Sequence, residues 1–355
     1  MRFLKSIASK ALLNAALFSF ILILPITIYS GVTNPDISAI GQVFGGMTDA
    51  VDSKDQGEPT LKIGEAEIVL DAYLNPFFKG ILTLSGGEEG VGVEEAYMSM
   101  VKGLPYGLGI KAGKYRLGFG KVNPSHPHSY PFIAPPRSSM SLLPGEDGFN
   151  ETALQISEFL PMPGDWASTL NVDVLEGKQF HPGQEKTRLG YLGRWANDFL
   201  LGDQTALETG ISATTGIDDV ERDTRISIFG ADFKTKFYMS GASQLVIQGE
   251  GILRQGHLSD TVAGTFNSKN RMGFHTFLDY RYHTQYNGGV FFEQWENGLQ
   301  ATDRAFRVFA GYAVLEESTL LRIYYERFLP EVGDAVNTVS IQALFSMGPH
   351  KAHQF

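Results

Sequence analysis

From Pro35 onward the chain alternates apolar and polar residues in short runs separated by turn-forming residues. Over 65–72, Glu65, Glu67, Val69 and Asp71 alternate with Ala66, Ile68, Leu70 and Ala72. A period of two places these sets on opposite faces of a strand, one largely polar and one apolar. The same rhythm recurs at 167–176, where Leu170, Val172 and Val174 oppose Thr169, Asn171 and Asp173. Followed along the chain, the pattern predicts about sixteen strands. They fall at 36–45, 65–72, 77–85, 91–101, 107–119, 152–159, 167–176, 188–199, 205–215, 225–237, 243–255, 271–283, 288–296, 304–314, 319–328 and 336–347. Connections alternate in length. Polar loops at 86–90, 118–150, 177–187, 216–224, 256–270, 297–303 and 329–335 exchange with mostly short links at 74–76, 103–106, 160–166, 285–288 and 315–318.

One segment breaks the rhythm. Residues 118–150 read GFGKVNPSHPHSYPFIAPPRSSMSLLPGEDGFN, rich in proline and periodic at neither 2.0 nor 3.6 residues. A loop of that length without its own structure is uncommon in a compact domain and is usually functional. It follows the fifth predicted strand, on the side of the other long loops. The expectation is that it folds into the mouth of a barrel and narrows it.

Long loops at one end and short turns at the other are how transmembrane β-barrels are built. Only helices and closed barrels satisfy every backbone group in lipid. The fold expected is therefore all-β: a transmembrane antiparallel β-barrel of about sixteen strands, with short periplasmic turns and long external loops. A soluble sandwich also alternates, and a propeller would show a repeat of about 40–50 residues, of which there is no trace. Aromatic clusters favour the barrel by resembling lipid girdles: Tyr73, Phe77 and Phe78; Trp195 and Phe199; Phe237 and Tyr238; Phe291, Phe292 and Trp295; Tyr324, Tyr325 and Phe328.

Composition narrows the function. A net charge of −10 over 355 residues excludes a general nucleic-acid binder. Absence of cysteine removes thiol catalysis, disulfides and Cys-ligated metals. Arg2, Lys5 and Lys10 precede an apolar run from Ala11 to Tyr29, so residues 1–30 read as a secretory signal, with an uncleaved anchor as the alternative, and 31–355 as the barrel. No G-x-S-x-G or H-E-x-x-H motif is present, and the glycines at 113–118 lack the following Lys-Ser/Thr and helix of a phosphate loop. The chain is therefore read as not an enzyme, and no cofactor is expected.

If one face of each strand lines a lumen, alternation places Lys111, Lys114, Arg116, Arg194, Glu250, Arg254, Arg281, Arg307, Arg322 and Glu326 on it, together with Glu65, Glu67, Asp71, Glu208 and Asp279. Phase slips around Ala112 and Gly230 suggest bulges. Arg or Lys at the lipid midplane costs about 2–4 kcal/mol, so these charges belong inside. There they either set selectivity or pair with one another and stiffen the wall. Lys111, Lys114 and Arg116 lead into the long loop as a cationic patch, and Glu146, Asp147 and Glu151 lie at its far end. His126 and His128 form a His-x-His, a spacing that can bind zinc or copper, although no carboxylate or cysteine completes a convincing tetrahedral set and the prolines on either side suggest a rigid loop instead; His350 and His353 could form a second weak pair.

With its strand count and its longest loop after the fifth strand, the chain resembles the sixteen-strand bacterial outer-membrane porins. Phe355 matches the terminal Phe common in that family, but residues 348–353 break the alternation before it. The resemblance implies a passive outer-membrane channel in a Gram-negative bacterium, carrying small hydrophilic or ionic solutes. It also implies a transverse field across the constriction. The partners implied are outer-membrane lipids and lipopolysaccharide, the barrel-assembly machinery, small solutes and a homotrimer, with no nucleic acid. The alternative is an outer-membrane receptor or metal-uptake barrel whose histidine loop captures ligand.

Overall fold

The computed structural model describes residues 35–348 except 88–89, 185–186, 261–264 and 316–317. The signal segment, Phe355 and the His350/His353 pair lie outside the described residues. The chain forms a single closed antiparallel sheet. The strands are β1 (Asp36–Thr48), β2 (in two pieces, Thr60–Ile63 and Ala66–Tyr73), β3 (Phe78–Gly87), β4 (Gly90–Met100), β5 (Leu108–Arg116), β6 (Asn150–Pro161), β7 (Trp166–Leu175) and β8 (Gly190–Leu200). They continue as β9 (Thr205–Asp219), β10 (Thr224–Tyr238), β11 (Gln244–Asp260), β12 (Thr265–Tyr282), β13 (Tyr286–Glu296), β14 (Thr302–Leu315), β15 (Thr319–Leu329) and β16 (Val336–Met347). Both pieces of β2 pair with β1, so the barrel has sixteen staves. β1 closes the ring on β16 from Ala39↔Met347 to Thr48↔Thr338. Among the described residues no helix is long and apolar enough to cross a membrane.

The pleat sorts side chains as lipid outside demands. Ile68, Leu154, Ile156, Val172, Ile211, Phe229, Val308, Ile323 and Ile341 are exposed on the outer face. Their neighbours Glu67, Asp173, Asp232, Arg307, Arg322 and Gln342 are buried inside. In a soluble β-protein this partition would be reversed; a hydrocarbon surround makes it the stable arrangement.

Three expected loops are shorter than the sequence implied. β3 runs to Gly87 and β4 starts at Gly90, β9 runs to Asp219 and β10 starts at Thr224, and β11 and β12 pair as far as Asp260↔Thr265. Backbone pairing persists where side-chain alternation fades. The slip expected at Gly230 is absent, since Ser212↔Gly230↔Ile252 pair in continuous register. The missing side chain at Gly230 instead makes room for Phe119, whose ring would lie 2.7 Å from a Cβ there. At the other expected slip the register also holds, while Gly113 takes φ 134°, a conformation open to glycine.

Candidate functional site: the loop within the lumen

The long connection from β5 to β6 lies inside the barrel and is fastened to the wall on several sides. Its first turn is set by Gly120, at φ 63°, where an added Cβ would come within 2.3 Å of the Glu250 carboxylate. That close approach lets Glu250 Oε2 accept the backbone N–H groups of Lys121 (2.9 Å) and Val122 (3.3 Å). The Gly120 N–H donates to Ser212 Oγ, and the Lys121 ammonium pairs with Glu208. The loop then crosses to β2 and β4. His126 and His128 stack at 5.4 Å between ring centroids, and His128 Nδ1 lies 2.9 Å from Glu67 Oε1. Burial alone would favour a neutral His126, but the carboxylates of Glu94, Glu95 and Glu67 around it push its pKa up to about 10.

Beyond the histidines the loop reaches β12–β15. Phe132 inserts edge-on between Phe277, Phe291 and Phe309, with ring centroids 5.2, 5.0 and 5.8 Å away. A short helix, α1 (Arg137–Leu142), follows. The Ser138 N–H donates to Glu293 and Arg137 to Glu326 (2.6 Å), while Arg254 Nη1 donates to the Leu142 carbonyl (3.0 Å). Phe119, Leu142, Leu143 and Phe149 join Phe180, Leu192, Ile226 and Ile228 in a second apolar cluster inside the barrel.

These contacts locate the residues singled out in the sequence. Arg307 binds Glu326 (2.6 Å), Glu293 (2.8 Å) and the Ala134 carbonyl (3.0 Å). Arg322 holds the His128 carbonyl (3.1 Å) and Gln342 (3.2 Å), and Glu250, Arg254 and Glu326 hold the loop as described. Arg194 forms a two-pronged pair with Asp232, at 2.7 and 2.9 Å, and Arg281 pairs with Asp279 at 2.9 Å. The three cations before the loop do not form one patch. The Lys111 ammonium sits over the rings of Tyr97 and Tyr115, Lys114 donates to the Val93 carbonyl, and Arg116 pairs with Glu94. Glu146 and Asp147 are exposed; it is the backbone carbonyl of Asp147 that Arg116 meets, at 3.0 Å. Glu151 is buried and accepts the Gln179 N–H.

Several girdle aromatics are in fact interior. Phe291, Trp295 and Tyr324 are buried, Trp295 stacking on Phe328 at 5.9 Å. Adjacent aromatics such as Phe291 and Phe292 necessarily face opposite sides of a strand. The sequence reading also missed Lys121, Lys234 and Lys236. For the two lysines of β10 a signal was available in the alternation, where Asp232, Lys234 and Lys236 share a phase; Lys121, in the aperiodic loop, had none.

Among the spaces that border the loop, two carry most of the charged lining. The one toward the short turns has a volume of about 650 Å3, and its charged lining is Lys121, Arg194, Lys234, Lys236 and Arg281 against Asp198, Glu208 and Asp279. The one toward the long loops has about 710 Å3 and borders Glu65, Glu94, Lys114, Arg116, Glu146, Asp147 and Arg254. Val122 and Tyr130 line both. Tyr130 is held there by its hydroxyl, which donates within 3.2 Å of the Val122 and Ser125 carbonyls.

Solved structures share this architecture. An anion-selective porin from Comamonas acidovorans superposes with a TM-score of 0.58 at 9% identity, covering 88% of this chain and 99% of that one. OprB of Pseudomonas putida gives 0.58 at 8%, covering 88% and 94%. The outer membrane channel DcaP of Acinetobacter baumannii gives 0.56 at 9%, covering 90% and 99%. The fold is that of the outer-membrane porins. No protein-family profile matches the sequence. An uncharacterized protein of Aquifex aeolicus is 32% identical over 215 residues, which span 54% of this chain and 44% of that protein. Within the porin fold, the position of the inward loop after the fifth stave is the feature that the sequence had already marked.

Proposed function

We propose that this chain is a passive outer-membrane channel for small hydrophilic solutes, with a preference for anions. The observation that carries the reading is the pair of polar chambers on either side of the inward loop, with Val122 and Tyr130 lining both. The chamber toward the short turns is lined by five cations and three acids; with Arg194 paired to Asp232 and Arg281 to Asp279, Lys121, Lys234 and Lys236 remain against Asp198 and Glu208, one positive charge in excess. Lys234 lies opposite Glu208 in the ladder, yet Glu208 already pairs with Lys121 and lies 3.7 Å from Lys236. Two carboxylates, Glu208 and its cross-strand neighbour Asp198, thus face three ammonium groups. In a confined, low-dielectric lumen a surplus of one sign raises the local concentration of the other.

The reading involves no catalytic step, and it places the chain in the outer membrane of a Gram-negative bacterium as a homotrimer. Planar-bilayer recording tests it. Stepwise currents that grow when residues 124–136 are replaced by a short glycine–serine linker support a channel narrowed by the loop. A silent bilayer with correctly folded protein favours the receptor reading instead.

A further inference from the structure

We propose that His126, His128 and Glu67 form a binding site for a divalent transition metal of the zinc type, which pins the inward loop to the barrel wall. The proposal is independent of which solute the channel carries.

The ligand atoms of Glu67, His126 and His128 lie within 4.8 Å of one another. His126 Nδ1 is 3.4 Å from Glu67 Oε2 and 3.3 Å from Glu94 Oε1. A tetrahedral zinc with bonds of about 2.0–2.1 Å has ligand–ligand edges of about 3.3 Å, so both separations are those of a coordination polyhedron. His126 Nδ1, Glu67 Oε2 and Glu94 Oε2 are buried without a hydrogen-bond partner, although Glu67 is only 1% exposed. Buried polar atoms in that condition call for a ligand.

The surroundings are those that support a metal. His126 Nε2 lies 3.1 Å from Glu95 Oε2, which fixes the ring and directs the Nδ1 lone pair inward. Glu95 is itself held by the Arg116 N–H (2.9 Å), and Arg322 grips the His128 carbonyl. Glu65, Glu67, Glu94 and Glu95 gather four carboxylates around the histidines, a set whose negative charge a divalent cation reduces. Imidazole nitrogens with carboxylates select zinc, copper or nickel over magnesium or calcium, which prefer all-oxygen sets. Glu65, Glu94 and Pro127 border the chamber toward the long loops, giving the ion a route in. One ligand comes from the middle of β2 and two from the loop, so the bound ion would tie them together.

The test uses the full chain, folded in detergent, stripped with chelator, and carrying His350→Ala and His353→Ala to remove the terminal pair. Titration with Co2+ should give one equivalent with the visible bands of a four-coordinate ion, displaced by Zn2+. His126→Ala, His128→Ala and Glu67→Gln should each abolish the bands, and Glu95→Gln should weaken binding about 10–100-fold. His283→Ala should leave it unchanged. Because a variant could misfold, X-ray absorption of the zinc-loaded parent is the second measurement, with nitrogen and oxygen neighbours at about 2.0–2.1 Å and imidazole scattering expected. Absence of the bands in the folded parent overturns the proposal, and the cluster is then a metal-free ion network around a charged His126. Binding that survives the His126→Ala/His128→Ala double variant also overturns it.

Discussion

Replacing Arg307 by methionine keeps most of the side-chain volume and removes the charge that joins wall and loop. Arg307 is 1% exposed and touches two carboxylates that are themselves buried, Glu293 and Glu326. The losses are unequal. Glu326 retains Arg137 at 2.6 Å, whereas Glu293, whose ion pair is with Arg307, keeps a neutral donor, the Ser138 N–H at 2.9 Å. Glu293 is therefore the stranded charge. Removing one partner of a buried pair costs about 3–5 kcal/mol, because the other is left uncompensated. The Ala134 carbonyl also loses its donor. Urea unfolding in lipid vesicles, followed by tryptophan fluorescence, should show Arg307→Met destabilised by about 3–5 kcal/mol. Adding Glu293→Gln should recover about 1–3 kcal/mol, since the two sites are coupled. A single variant within about 0.5 kcal/mol of the parent, the range of an ordinary surface substitution, would refute the tethering argument.

The remaining predictions concern other anchors of the loop. Phe132→Ala should cost about 3–5 kcal/mol and leave a cavity among Phe277, Phe291 and Phe309, measured by the same unfolding assay. Gly120→Ala should cost about 1–3 kcal/mol through its left-handed backbone and the clash with Glu250; a neutral result would show that the loop does not turn there. For His126 the pKa rises from 6.5 to about 10 on folding, so its charge stabilises the loop fully below pH 6.5. That contribution fades as pH climbs from 6.5 toward 10; in chelator, the stability difference between the parent and His126→Gln should shrink over this window, and a pH-independent difference would contradict it.

The ladder was legible because a lipid-embedded strand must alternate, and 65–72 or 167–176 leave no other period. The position of the long loop was legible because proline and glycine interrupt that period for longer than anywhere else. What holds the loop was not. Phe119, Phe132 and Phe149 are aromatic residues in a segment without a face, and nothing local says that they seat on Phe180, Phe277 or Phe309. Alternation separates two faces without naming them, so Phe291 and Tyr324 read as girdle residues when they are interior. The histidine pair lacked partners in its own neighbourhood because Glu67, Glu94 and Glu95 arrive from β2 and β4. Charged pairs were likewise visible as residues but not as contacts, since Arg307 reaches the loop at Ala134, far away in sequence.

A solute passing the loop crosses a lysine-rich chamber. The zero-current potential across a bilayer separating two KCl concentrations, compared between the parent and Lys234→Glu/Lys236→Glu, tests it most directly. The parent should give an anion-preferring potential that moves toward, and past, zero in the variant. An open channel whose potential is the same in both would contradict it.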